Sequence, residues 1–238
     1  MDPAEYDKMH AVEERMWWYR GLHANLLGQL ARHARSEAPV LDAGCGTGGL
    51  LKRLAGKPVG LDYAEVAARY ARTKSGHLVV VGSVNDLPFA AGAFAAVVSA
   101  DVIAQQSVDE ARALAEARRC LAPGGVVVVN LPAYAWLRSD HDRRVHQPRR
   151  YTRSGVARLL GAAGFRAIFT THWNTILFPL MVARRLLFPG GDTGDVRLMP
   201  GPVEAIFSQA VLLESRLTSR GIPLPFGGSV LAVGVKDG

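Results

Sequence analysis

Apolar residues fall along this chain in short clusters whose spacing changes from stretch to stretch. Residues 8–35 carry them at helical spacing around an aromatic centre (MWWYRGLHANLLGQLARHAR), which predicts one helix. PVLDA then runs apolar into the glycine-rich GCGTGG, the pattern of a strand entering a turn, and Leu50 to Leu54 are expected to open a helix. A second strand is expected at PVGLD (58–62), a helix from Ala64 to Lys74, a third strand at HLVVVGS (77–83) and a fourth at FAAVVSA (94–100). Asp109 to Leu121 predicts a helix, ended by Pro123-Gly124-Gly125. VVVVNL (126–131) is continuously apolar, as a strand covered on both faces is. Thr152 to Ala163 predicts a helix with Val156, Leu159, Leu160 and Ala163 on its apolar face and Gly164 as its C-cap. FRAIFTTHW (165–173) and GSVLAVGV (228–235) complete seven strands. Between those two, residues 174–227 hold helix-like stretches around 175–188 and 203–219, split by the turn-rich PGGDTGDVRLMPGP.

Strands alternating with helices imply a parallel sheet with helices on both faces, a doubly wound α/β fold. The chain of 238 residues suits one domain with a substantial insertion. Its expected parts are an N-terminal cap (1–37), a core (38–173), the helical insertion (174–227) and the last strand (228–238). Hydrophobic residues make up 49% and charged residues 21%, enough for a real core. The net charge of +7 is compatible with anionic partners but does not single out nucleic acid, and no lysine-rich arm is visible. Cys45 and Cys120 have no zinc or disulfide spacing, so reduced thiols and a cytoplasmic protein are expected. Asp2, Glu5 and Asp7 argue against a signal peptide. The most apolar run, Ile176 to Ala183, stops at Arg184-Arg185 and falls short of the roughly 20 residues that span a bilayer. Such a helix suits a lid over a hydrophobic substrate, a dimer face or a membrane surface; a lid is expected. Residues 203–219, with Val203, Ile206, Phe207, Ala210 and Leu213 on one face, are its expected packing partner.

The chemistry begins at LDAGCGTGG. Glycines at a strand-to-helix turn let backbone approach a ligand closely, and a helix start offers free N–H groups to an anion. Asp62 follows Asp42 at the end of the second expected strand, placed to accept from ribose hydroxyls. This reads as a nucleoside-containing cofactor site. Gly44, Gly46 and Gly49 also fit G-x-G-x-x-G, so a nicotinamide-dependent oxidoreductase stays open on these residues alone. Tyr70 and Lys74 make a Y-x-x-x-K that lies too early to reach a substrate over the later strands.

The wider pattern resembles the class I S-adenosylmethionine-dependent methyltransferases over most of the length. LDAGCGTG is similar to that family's first motif and GLD to its ribose acid. GSVNDLPFAAGAFAAVVSADVI and LAEARRCLAPGGVVVV resemble its next two segments, and PFGGSVLAVGVK its antiparallel seventh strand. The resemblance implies a Rossmann-like seven-stranded sheet with S-adenosyl-L-methionine as cofactor and a small biosynthetic molecule, such as a natural-product intermediate, as acceptor. It implies that Asp42, Gly44, Cys45, Gly46 and Gly48 hold the methionyl end, and that Asp62 and Tyr63 hold the ribose and adenine side. Ser83 and Val84 would flank the adenine, with Ala100 and Asp101 beneath the methionine. Ser83, Ala95 and Ala104-Gln105 depart from acidic residues and a Glu-His pair common in the family, which leaves a non-catalytic cofactor-binding partner protein as a further alternative. MWWYR resembles a cap helix: Trp17, Trp18 and Tyr19 would roof the site and Arg20 meet the methionine carboxylate. NLPAY (130–134) looks like a base-methylase motif but follows the fifth strand rather than the fourth, so no base methylase is read.

HDRRVHQPRRY (141–151) lies after the fifth strand, at the edge where an acceptor should sit. A metal is not expected, since histidines five apart stand about 140° apart on a helix and methyl transfer from a sulfonium needs none. The chemistry asks for positioning and a deprotonated acceptor, which makes His141 or His146 the expected base and Asp142 its orienter. Arg149, Arg150 and Tyr151 are expected to fix the loop or grip an anionic or polar substrate group, with Trp18, Tyr134 and Trp173 on the substrate wall.

Overall fold

In the computed structural model, which describes residues 3–34, 39–138, 142–143, 145–187 and 198–237, seven strands form one sheet. They are β1 (Val40–Ala43), β2 (Val59–Asp62), β3 (Leu78–Val81), β4 (Phe94–Ala100), β5 (Leu121–Pro132), β6 (Arg166–Trp173) and β7 (Ser229–Val235). Their order across the sheet is β3-β2-β1-β4-β5-β7-β6, with β7 antiparallel to both its neighbours. The continuous apolar run of β5 serves both faces: Val127, Val129 and Leu131 enter one core layer, Val126 and Val128 the other. The first layer is closed by α4 (Glu110–Cys120) and α5 (Arg153–Ala162), through Ala113, Leu114, Ala117, Val156 and Leu160. The second is closed by α2 (Trp17–His33) and α3 (Glu65–Ser75), through Leu22, Leu26, Leu30, Ala68 and Ala71. The strand order reverses between β1 and β4, which opens a crevice at their carboxyl ends.

Three sequence expectations are corrected. Residues 8–35 are not one helix; α1 (Pro3–Val12) ends in a turn before α2 begins. The break is held from far away, because the Trp17 N–H donates to the Glu204 carboxylate, a cap no local pattern announces. Leu50 to Leu54 form only a 3-10 turn, Leu51–Arg53. The third correction concerns the insertion, where α6 (Phe178–Leu187) and α7 (Gly201–Ser219) form. The buried residues of α7 are Ser208, Val211, Glu214, Ser215 and Thr218, while Ile206 and Leu213 are 65% and 50% exposed. Small and polar side chains win that face because α7 lies close against α2. A Cβ on Gly21 would sit 2.8 Å from Val211 Cβ. Thr218 donates to Asn25 Oδ1 at 2.6 Å, and Gln29 donates to the Thr218 carbonyl at 3.0 Å. The partly exposed Glu204 and the buried Glu214 then serve backbone, the latter accepting from Thr175 and Ile176 at 3.0 and 2.6 Å.

Candidate cofactor and acceptor site

The turn after β1 is drawn against β2 by the Gly44 and Cys45 N–H groups, both donating to the Leu61 carbonyl at 2.7 and 2.9 Å. Gly44 has φ +85°, and a Cβ there would lie 2.1 Å from Val102 Cγ2, so no other residue fits. Gly48 (φ +89°) serves packing instead: its Cβ would meet the Ala71 Cα at 2.7 Å, and it lies outside the cavity wall, contrary to its expected contact with the methionyl end. Asp62 accepts from Gly46 N through Oδ2 and from Ala64 N through Oδ1, each at 2.9 Å. Asp42 is buried, and its Oδ2 has no partner among the described residues. Burial, reinforced by Asp62 and Glu13, pushes the Asp42 carboxyl up to about 8.

These groups border a cavity of about 1070 Å³. Asp42, Gly44, Cys45, Gly46 and Asp62 line one end; Tyr63, Ser83 and Val84 stand beside them, and Ala100 and Asp101 at the tip of β4. Asp101 is held at φ 59°, and its Oδ1 accepts from Asn130 Nδ2 at 3.0 Å. Burial pushes its carboxyl up to about 7, with the Asn130 bond and Arg150 acting the other way. Trp173, expected on the substrate wall, is instead fully buried outside it and donates to Asn130 Oδ1 at 2.7 Å. Trp18 and Tyr19 line the cavity as expected of them, whereas Arg20 does not. Leu177, Leu180, Met181 and Arg184 bring α6 and its approach to the far end, beside Met199 and Phe207.

The nearest cover over the glycine turn comes from α1, which the sequence reading missed. Glu5, Tyr6, Met9 and Glu13 all stand in the wall. Glu13 accepts from the Thr47 hydroxyl and pairs with Lys74, and Tyr70 donates to Asp7 at 2.8 Å. The signal was there: Tyr6, Met9 and Glu13 are spaced to share one helical face. Tyr70 and Lys74, whose spacing mimics a dehydrogenase pair, in fact tether this segment.

The 141–151 loop divides differently from expectation. His141 lies outside the described residues. His146 is exposed at φ 55°, outside the cavity wall, so it does not face an acceptor there. Asp142 does face the cavity, but both its oxygens take Arg150, at 3.0 and 2.8 Å, in a buried ion pair. Arg150 also donates to the Ala133 carbonyl at 2.8 Å, so it braces the loop rather than gripping a substrate. Arg149 donates to the Ile103 and Val108 carbonyls at 2.9 and 2.8 Å, and Tyr151 donates to Glu110 at 2.5 Å. Both fix the loop to the segment after β4 and the start of α4, and neither side chain is in the cavity wall. Tyr134 is likewise off the wall, stacked on His172 at 5.1 Å. Gln147, not singled out from sequence, reaches the cavity and donates to the Asp101 carbonyl at 2.6 Å.

Residues 41–129 match the family model of a methyltransferase domain. A Malonyl-[acyl-carrier protein] O-methyltransferase of Geobacter sulfurreducens is 32% identical over 186 residues, covering 69% of this chain and 67% of that protein. The chain belongs to the S-adenosylmethionine-dependent methyltransferases. A Mycolicibacterium smegmatis protein named "Probable S-adenosylmethionine-dependent methyltransferase" is 32% identical over 164 residues, which are 65% of this methyltransferase and 61% of the relative. The chain thus matches roughly three fifths to two thirds of the length of these relatives. The fold is shared with a SAM-dependent methyltransferase from Thermotoga maritima (TM-score 0.62, 19% identity, 98% and 95% of the two chains). It is shared too with a geranyl diphosphate C-methyltransferase from Streptomyces coelicolor (TM-score 0.60, 18%, 90% and 78%). The family's cofactor, S-adenosylmethionine, suits this cavity on one observation: a buried carboxylate with an unpartnered oxygen is satisfied by a cation, and the cofactor carries an ammonium and a sulfonium.

Proposed function

We propose that this methyltransferase carries a methyl group from S-adenosylmethionine to an oxygen of a small, largely apolar biosynthetic intermediate. The unpartnered Asp42 oxygen at the foot of the glycine turn carries the reading. The cavity is at the top of the roughly 300–1,000 Å³ range of small-ligand sites, which suits cofactor and acceptor side by side. S-adenosylmethionine supplies the electrophilic methyl on its sulfonium. Asp42 receives the α-ammonium, and the backbone at Gly44, Cys45 and Gly46 receives the rest of the methionyl end. Asp62 keeps lone pairs for the ribose hydroxyls beyond its two backbone bonds. Tyr63, Ser83 and Val84 border the adenine, and Tyr19 and Ala100 the reacting end.

Asp101 orients the acceptor hydroxyl and takes its proton as oxygen bonds to the methyl carbon and the carbon–sulfur bond breaks. Its raised pKa near neutrality suits that exchange, and Asn130, held by Trp173, fixes the carboxyl. Asp101 takes the place expected of His146, which stands outside the cavity wall. Oxygen as acceptor has the support of the Geobacter relative's name. An apolar body with an anionic group has the support of Trp18, Leu177, Met181 and Phe207 beside Arg138, Arg143 and Arg184, and of a fold neighbour that takes geranyl diphosphate. Thermal unfolding tests the cofactor: S-adenosylhomocysteine at about 100 times its Kd should stabilise the protein by about 2.7 kcal/mol while NAD leaves it unchanged. The reverse pattern overturns the reading. A transfer screen with isotope-labelled cofactor against amphipathic alcohols and acids then tests the acceptor; labelling only of amines would refute oxygen.

A further inference from the structure

We infer that the face carrying Trp136 and the start of α6 docks on an anionic lipid bilayer. Four large apolar side chains stand out to solvent on neighbouring segments: Trp136 (62% exposed), Ile176 (51%), Leu180 (55%) and Phe226 (40%). Ring contacts join these segments into one patch. Phe178 lies 6.2 Å from Trp136 and 5.6 Å from Phe226, and Tyr134 stacks on Trp136 at 5.8 Å. Ile176 and Leu180 flank Phe178 in the chain. Soluble surfaces seldom gather large apolar groups so closely without a use for them. Indole and phenyl rings beside a short apolar helical turn are the groups that enter the boundary between headgroups and acyl chains.

Charge selects the occupant. The segments that build the patch, 133–138, 174–184 and 222–228, contain Arg138 and Arg184 and not one Asp or Glu. Arg138 donates to the Pro148 carbonyl at 2.9 Å and has no carboxylate partner among the described residues. Arg153 adds a cation that acts electrostatically on Tyr134 of the patch and on the buried His172 stacked against it. The whole chain carries +7. Apolar tips ringed by cations fit acidic headgroups over hydrocarbon, each cation near such a surface strengthening the attraction. No helix among the described residues is long and apolar enough to cross a membrane, so the contact is peripheral. The patch also borders the cavity, since Leu180, Arg184 and Arg138 belong to both. Docking does not depend on the methyl-transfer reading, and it fails or holds separately.

Flotation with vesicles of phosphatidylglycerol and phosphatidylcholine in low salt tests it, with pure phosphatidylcholine as control. The protein should float with the acidic vesicles, and both 0.5 M salt (about a threefold shorter screening length than low-salt buffer) and the neutral lipid should release most of it. The double variant W136S/I176S, neither residue lining the cavity, should reduce the floating fraction by about tenfold or more. Its unfolding temperature with and without S-adenosylhomocysteine reports whether the fold is kept. If that variant misfolds, brominated acyl chains decide instead. They should quench the fluorescence of the wild type, and W136F should float while losing most of the quenching. Failure of the wild type to float, equal floating of the folded double variant, or quenching that persists in W136F overturns the proposal. So does a stable dimer in solution that shields Trp136 from acrylamide.

Discussion

Asp42, buried, and Asp101, half-buried, are carboxyls at strand ends, and their different partners give them different work. Folding raises the Asp42 carboxyl to about 8 from an ordinary 3.8, so the folded protein keeps a proton that the unfolded chain has lost. That contribution favours the fold below pH 3.8 and fades as pH climbs towards 8. A bound ammonium favours the ionised form, so cofactor binding should expel the proton. Affinity for S-adenosylmethionine should therefore rise with pH below about 8, by up to about tenfold per unit. Calorimetry in buffers of different ionisation heat should record close to one proton released at pH 6.5 and none for Asp42→Asn. Asp101 predicts a rate rather than an affinity. In the wild type kcat should rise through about pH 7 and level off. Asp101→Asn should lower kcat by about 10²–10⁴-fold with cofactor affinity nearly kept. His146→Ala should turn over normally; a loss comparable to that of Asp101→Asn would return the base to the loop.

Elements were legible in the sequence where a local pattern decides them and illegible where a distant residue does. β4 and α4 emerge where the strand at 94–100 and the helix from Asp109 were expected, and the structure shows a local reason for the helix start: Asp109 accepts from Arg112 N at 3.1 Å. The division between α1 and α2 was not readable, because its cap is Glu204, 187 residues on. The face of α7 misled for a related reason: Ile206 and Leu213 look like core, but close approach to Gly21 selects Val211 and the small polar positions. At the site, Gly44 and Asp62 were visible because a turn and an acid at a strand end have few other uses. The loop of arginines was visible too, and of its two expected roles, fixing the loop or gripping a substrate, the bonds show the first. Its polarity satisfies carbonyls of Ile103, Val108 and Ala133 that would otherwise be left without donors. α1 offers the test at this scale. Glu13→Gln with Lys74→Met removes both members of the buried ion pair that ties the turn after α1 to α3. Cofactor dissociation, followed by stopped-flow fluorescence, should then quicken by about 5–30-fold, the equivalent of 1–2 kcal/mol, with little change in unfolding temperature of the free protein. An unchanged dissociation rate would show that α1 holds nothing in.

Across the whole molecule, one crevice between β1 and β4 gathers residues from nearly the full chain, from Glu5 of α1 to Ser229 of β7. The alternation of strands and helices predicted the doubly wound sheet but not its strand order, and the antiparallel β7, implied by the family resemblance, closes the far side without disturbing the crevice. The two ends of the crevice have different owners. α1 covers the glycine turn, and α6 borders the opposite end beside the Trp136 patch. With the acceptor end against the proposed bilayer and the cofactor end under α1, product and spent cofactor would leave at opposite ends of the crevice. A protein resting on a bilayer by its α6 side can discard one water-soluble nucleoside after another from the α1 side and stay where it is. Its turnovers on vesicles should come in long runs on a single particle, so that adding empty vesicles after the start leaves the early rate untouched.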